Sequence, residues 1–273
     1  MGGIASRRVA ALRVVVISYP LALILLTVLA LPVGGVISTP AVVWGLISGV
    51  AQAFGVWWFY AALGAGPISV VSPLTAILVA GIPVGVGLAL GERPGPLAIV
   101  GVAVALAAVV LVSRDASDEP LARRATGTDE DVRPHRFTAK VAWLTVGSGV
   151  AFGMNFVFLD QVPVDAKLWP LVFGRLAATA IVLVAAALTA NLTIERGVPL
   201  RLALAAAVLD TVANVATLLA LQSGMLSLAG VLIALYPAAT VLLAIVVLRE
   251  RVTRSQALGM ALALTAVAMI AAG

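Results

Sequence analysis

Apolar residues run along this chain in long blocks, broken by short clusters of Gly, Pro and charge. Nine blocks are long enough, or nearly so, to cross a bilayer, which takes about 20 residues per helix. They cover residues 9–31, 40–62, 67–90, 96–113, 140–160, 168–190, 199–221, 225–248 and 255–272. Many connections are brief turns, such as Gly64-Ala65-Gly66-Pro67 and Gly91-Glu92-Arg93-Pro94. Residues 114–139 differ: they mix both charge signs with Pro, Ser and Thr and lack apolar periodicity. They read as a disordered linker, with an interaction segment as the sharper alternative. The pattern predicts an all-α integral membrane protein in two parts, 1–113 and 140–273, joined by that linker.

The two parts repeat each other. Laid without a gap on residues 218–271, residues 60–113 are identical at roughly three positions in ten. Ala62 falls on Ala220, Gly66 on Gly224, Ser69 on Ser227 and Gly101 on Gly259, and Glu92-Arg93 falls on Glu250-Arg251. Internal repeats of opposite orientation mark secondary transporters. Five blocks follow the linker and four precede it. Arg175 stands early in 168–190 as Arg13 does in 9–31, which leaves 140–160 without a counterpart. The first part is therefore expected to lack its first helix, with MGGIAS as that helix's tail, in a 4+5 arrangement. A start placed too far downstream and a natural 4+5 variant both fit.

Composition agrees with a membrane class. Apolar residues make up 62% of the chain, charged residues 11%, and mean hydropathy is +1.16; soluble domains carry about 25% charged residues. Cysteine is absent and the single His135 lies in the linker, so no metal site, cofactor or thiol chemistry is expected. The basic balance reflects topology rather than nucleic acid. Fourteen Arg and Lys residues fall on one side of the predicted spans and two, Arg93 and Lys167, on the other, with Arg175 inside a helix. The positive-inside rule then puts the linker in the cytoplasm and the C-terminus outside.

Polar side chains at bilayer depth are costly, so each is a functional candidate. Asp210 lies deep in 199–221, and Asn214 is one turn on, on the same face. The repeat register sets Gln52 opposite Asp210. These three would line one cavity, or the polar groups would only hold helices together. An Arg175–Asp210 ion pair is within reach, the depth offset being roughly 6 Å; Arg175 could instead snorkel outward. Asn155, Asp160 and Gln161, beside Asp165, Lys167 and Trp169, form a candidate vestibule, with Trp169 as an interfacial anchor and solvated charges as the plainer reading. Trp57, Trp58, Phe59 and Tyr60 read as an aromatic belt. In each Glu-Arg turn the carboxylate is expected to cap the next helix and the arginine to meet the preceding one's last carbonyls. Pro73, Pro83 and Pro237 kink or pack their helices. The pairs Gly45-Gly49, Gly81-Gly85, Gly87-Gly91 and Gly149-Gly153 indicate close helix packing.

The stretches VSPLTAILVAGIPVGVGLALGERPGPLAIVGVAVALAAVVLVS and LSLAGVLIALYPAATVLLAIVVLRERVTRSQALGMALALTAVAMIAAG resemble the closing three helices of an EamA repeat, a tandem-repeat family of the drug/metabolite transporter superfamily. GGIASRR followed by ALRVV is similar to the end of the first and start of the second helix in a bacterial branch. The resemblance implies ten helices in two inverted five-helix halves around a central cavity, with metabolites exported or imported by alternating access. Two departures stand out: the absent first helix, and arginines that put the C-terminus outside where better-known members have both termini in the cytoplasm.

The expectation is a multi-pass transporter of the plasma membrane, not an enzyme, that moves a small metabolite or amphipathic compound. Its partners would be that solute, the lipid bilayer and, as a candidate coupling ion, the proton, with no nucleic acid. Asp210 is the candidate proton site and Arg175 its partner or an anion anchor. The competing readings are a non-transporting scaffold or truncated inactive product and, further off, a membrane-embedded lipid-carrier enzyme. Substrate, direction and oligomeric state are left open.

Overall fold

The computed structural model describes residues 2–66, 68–115, 138–188, 198–235 and 254–272. Among these the chain is helical, without strands: α1 (Gly2–Val33), α2 (Thr39–Leu63), α3 (Ile68–Ala89), α4 (Pro96–Asp115), α5 (Ala139–Asp160), α6 (Trp169–Leu188), α7 (Val198–Ser223), α8 (Leu226–Ala234) and α9 (Arg254–Ala272), with a 3-10 turn at Val164–Ala166. Most edges fall within a residue or two of the apolar blocks. The main difference is α1, which begins at Gly2 and takes GGIAS into its own first turns rather than leaving it as the tail of another helix. Most of the linker, Tyr236-Pro237 and Glu250-Arg251 lie outside the described residues.

Among the described residues, five helices are long and apolar enough to cross a membrane, through Val16–Val33, Thr39–Leu63, Val70–Ala89, Ala139–Asp160 and Trp169–Leu188. The helices α4, α7 and α9 carry shorter apolar runs, Pro96–Leu111, Ala207–Ser223 and Ala257–Ile270. Polar residues shorten two of them: α4 ends in Arg114-Asp115 and α9 opens on Arg254-Ser255-Gln256. Large apolar side chains stand outward, among them Leu31, Leu188, Leu209 and Leu264. Lipid solvates such a surface, while the helices satisfy their own backbone groups.

The ends of the helices follow from local chemistry. Ser38 Oγ accepts from Ala41 N–H at 3.4 Å and Thr138 Oγ1 from Val141 N–H at 3.4 Å, so α2 and α5 start on hydroxyl caps. Pro96 opens α4, where a missing N–H costs nothing. The chain reverses after α3 at Gly91, whose φ of 95° suits glycine. There Gly91 N–H reaches Leu88 O at 3.1 Å and Glu92 N–H reaches Gly87 O at 3.0 Å. This is the Schellman pattern.

Packing groups the chain into two compact units, residues 1–60 with 154–224 and residues 61–153 with 225–273. Each unit draws on both sides of the linker. The textual repeat and the packing units are thus different partitions of the same chain. In the first unit α1 packs on α6 and α7, and α2 meets α6 through glycine. A Cβ at Gly45 would lie 2.6 Å from Pro170 O, and one at Gly49 2.0 Å from Gly174 O. In the second unit α3 packs on α4 and α8, and α4 on α9. There a Cβ at Gly149 would lie 2.6 Å from Leu78 Cβ, and one at Gly153 2.7 Å from Ile82 Cβ. Pro83 is buried against Gly230, the packing alternative for this residue.

Two of the four glycine pairs therefore work as expected. The others are corrected. Gly81 and Gly85 meet nothing within 4 Å among the described residues; Gly91 serves the turn after α3, while Gly87 lets Glu92 and the start of α8 approach, a Cβ there lying 3.1 Å from Ser227 N.

Candidate functional site

Arg175 enters its site from the second turn of α6 and is buried, its side chain only 2% exposed. Two contacts hold it, and one nitrogen is left over. Its Nη2 donates to Asp210 Oδ2 in an ion pair. The guanidinium carbon stands 4.7 Å from the centroid of the Tyr19 ring on α1, a cation–π arrangement. Its Nη1 is buried without a hydrogen-bond partner. Pairing rather than outward snorkelling is thus the outcome for Arg175.

Asp210 lies at the middle of α7 and its side chain is 38% exposed. Asn214, one turn on, donates Nδ2 to Asp210 Oδ1 at 3.1 Å and to Asp210 O at 2.7 Å. The i, i+4 spacing read from the sequence produces this contact directly. One carboxylate oxygen thus meets a charged donor and the other a neutral amide.

Beside the pair is a small cavity lined by Ser48, Gln52, Asn155, Arg175 and Asn214, with Leu26 and Leu171 among its apolar walls. Its accessible volume, about 10 Å³, is that of roughly one water molecule. All of these residues belong to the first unit. The glycines explain how four helices bring polar groups so close. Gly49 and Gly174 let α2 approach α6 at backbone distance and line the cavity themselves.

The sequence candidates divide here. Gln52, Asn214, Arg175 and Asn155 share the cavity lining, and Asp210 is joined to it through Arg175 and Asn214. The expected vestibule group splits. Asn155 is buried in the interior, whereas Gln161 is exposed and donates to Asp160 Oδ2 at 3.2 Å. Five residues along α5 advance the helix by more than a turn and rotate it, which separates residues that look clustered in the text. Trp169 is half-buried and meets Phe173 with ring centroids 6.3 Å apart. Trp57 and Trp58 stand outward, as a belt would. Tyr19 and Ser48 were not anticipated. Tyr19 is one of three tyrosines in the chain and sits inside an apolar block beside Pro20, a signal available in the text.

The second unit also holds a carboxylate with a definite task. Glu92 Oε1 accepts from Leu226 N–H at 2.6 Å and Oε2 from Ser227 N–H at 3.0 Å. The helix it caps is α8, not the next helix α4 as expected from proximity in sequence. Met225 precedes α8 and offers no side-chain oxygen, so its first amides would otherwise be unmet. The Schellman turn aims Glu92 at them. Gly87 keeps the space clear, since a Cβ there would lie 2.2 Å from Glu92 Oε2. Its counterpart Glu250 lies outside the described residues.

No cluster of three or more metal-ligating side chains occurs among the described residues. The fold and site define a multi-pass helical membrane protein with a charged pair buried in its helices. Residues 139–272 match the model of the EamA-like transporter family. Over those residues, just under half of the chain, it is EamA-like, and the members of that family are transporters. A solved structure described only as "Crystal structure of protein" is similar in fold, with a TM-score of 0.70 at 19% identity over 95% of this chain and 86% of the other. No curated protein matches.

Proposed function

We propose that the chain is a secondary transporter of the plasma membrane that moves a small metabolite or amphipathic compound by alternating access, coupled to protons at Asp210. The observation that carries this reading is the Arg175–Asp210 pair beside a polar cavity the size of one water. Ionisable groups inside membrane helices are rare and tend to mark ion and substrate pathways. So small a cavity is too narrow for an organic solute, and passage of one requires the helices around it to move apart.

The pair supplies a trigger for that movement. A proton on Asp210 removes the charge that holds Arg175, and the guanidinium is then free to turn to the amides of Gln52 and Asn155. Binding can shift a conformational equilibrium only through different contacts in the two states, and this exchange of partners is such a difference. Two inverted halves, 1–113 and 140–273, provide the two alternating arrangements. The Arg and Lys distribution supports a cytoplasmic linker and an outer C-terminus. No enzymatic role is proposed.

The test is reconstitution into liposomes containing a pH-sensitive dye, with amino acids, monocarboxylates, nucleosides and hydrophobic amines offered outside. At least one solute is expected to move protons across the membrane. Asp210→Asn should insert normally and lose the proton movement. Correctly inserted protein that moves none of these solutes would favour the scaffold reading instead.

A further inference from the structure

Arg175 has more donors than its surroundings use. A guanidinium carries five N–H groups in a planar fork that matches a carboxylate at two points. One nitrogen meets Asp210, while Nη1 is buried, unpartnered and on a side chain that lines the cavity. The cavity has room for about one water, and Asp210 already occupies one nitrogen of the guanidinium. An anion that takes both points of the fork therefore takes the place of Asp210.

We infer that Arg175 is the seat for the carboxylate of a small organic monoanion, which displaces Asp210 and crosses together with one proton. This rests on the transporter reading above and names its substrate class. Charge decides the stoichiometry. Before binding, Arg175 and Asp210 sum to zero. A carboxylate on Arg175 leaves Asp210 as an anion without its cation among the helices, which favours its protonation. A proton from water on the freed Oδ2 of Asp210 restores neutrality, and it leaves when the solute departs and the pair re-forms. Asn214 Nδ2 already donates to Asp210 Oδ1 and can keep that bond, in weaker form, when Oδ2 carries the proton. The charged or titratable groups facing Asp210 are Arg175 from α6 and Tyr19 from α1, with Tyr60 of α2 beyond Tyr19. The cavity's other polar residues, Ser48, Gln52 and Asn155, are uncharged. Among the described residues no acidic group lines the cavity to receive a substrate ammonium.

Proteoliposomes with membrane potential clamped by potassium and valinomycin test this, using labelled lactate and benzoate, their amides lactamide and benzamide, and glycine as a zwitterion. Lactate or benzoate is expected to move with one proton each, indifferent to the potential, and at least about tenfold faster than its amide, the scale of a charged hydrogen bond. Arg175→Lys, which keeps charge but loses the fork, should weaken uptake about tenfold. Since that variant could fail to fold, binding is read separately on Asp210→Asn. In detergent, benzoate should raise its melting temperature at pH 6 and pH 8 alike, whereas in the wild type the rise should shrink at pH 8. Glycine or an amide crossing while the carboxylates do not would overturn the inference and leave the transporter reading standing. Carboxylate flux that carries net charge would also overturn it. Failure of every solute, together with no benzoate effect on melting, would sink both.

Discussion

Glu92 in one compact unit and Asp210 in the other hold partners that differ in kind. Glu92 binds two backbone amides at the start of α8. Asp210 binds a guanidinium and a side-chain amide. A helix's first amides cannot leave without unwinding the helix, whereas a guanidinium can turn away through its own rotamers. The first arrangement is a clamp and the second can act as a switch. Surroundings differ in the same sense: Gly87 is shaped around Glu92, whereas Arg175 has an unpartnered nitrogen at a cavity.

The largest expected effect separates the two members of the switch. Asp210→Ala strands Arg175, a 2% exposed cation, and should cost about 3 kcal/mol. Arg175→Ala leaves Asp210, which is 38% exposed and can be hydrated or protonated, and should cost about 1 kcal/mol. Thermal unfolding in detergent micelles reads the difference, at about 2–4 °C per kcal/mol for a chain this size. Equal losses would mean that Asp210 is as tightly enclosed as its partner.

Next come the glycines that bring α2 to α6. A methyl at position 49 would lie 2.0 Å from the Gly174 carbonyl oxygen, a backbone atom that cannot turn aside. Gly49→Ala should cost about 2 kcal/mol and reduce transport, since Gly49 lines the cavity. The matching change in the second unit, Gly85→Ala, meets open space. It should be neutral or stabilise α3 by up to about 1 kcal/mol. A harmless Gly49→Ala would show that helix approach is not what shapes the cavity.

Glu92→Gln tests the clamp. The amide can still accept one N–H through its oxygen, but its NH₂ group would face the other donor, and the charge at the helix start is gone. A loss of about 1 kcal/mol is expected, with solute flux unchanged at temperatures below unfolding. Lost flux at full stability would make Glu92 a second moving part and erase the contrast between the units.

Much of this was legible in the text. Helix positions followed from block length, because a bilayer demands continuous apolar runs. The Asp210–Asn214 contact followed from helical spacing and the reach of Arg175 to Asp210 from relative depth. The register that set Gln52 against Asp210 pointed to a residue that lines the cavity beside the Arg175–Asp210 pair, though Asp210 itself does not line it. What failed were inferences from nearness along the chain. Glu92 caps a helix 134 residues on, and Asn155 lies apart from Asp160. Both depend on how helices pack across the chain, which spacing within one helix does not encode. The Tyr19 contact was missed for the same reason, since a lone tyrosine in an apolar block reads as filler until the helix opposite is known.

The smallest expected effect bears on a buried side-chain polar contact between two helices of the second unit. Thr75 Oγ1 on α3 stands 3.4 Å from Ser148 Oγ on α5. Ser148 donates to Thr145 O at 2.9 Å and needs nothing from Thr75 to be satisfied. Valine matches threonine in shape, so Thr75→Val removes one long hydrogen bond and little packing. Hydrogen bonds between membrane helices average about 0.6 kcal/mol, and the change should fall at or below that. Solute flux should stay at the wild-type rate, because a satisfied hydroxyl pair gives a proton or solute no reason to dwell there. A loss above about 1.5 kcal/mol, near the upper end for such bonds, or a drop in flux at unchanged stability, would put polar work into the second unit. The division between a switching unit and a clamping one would then not hold.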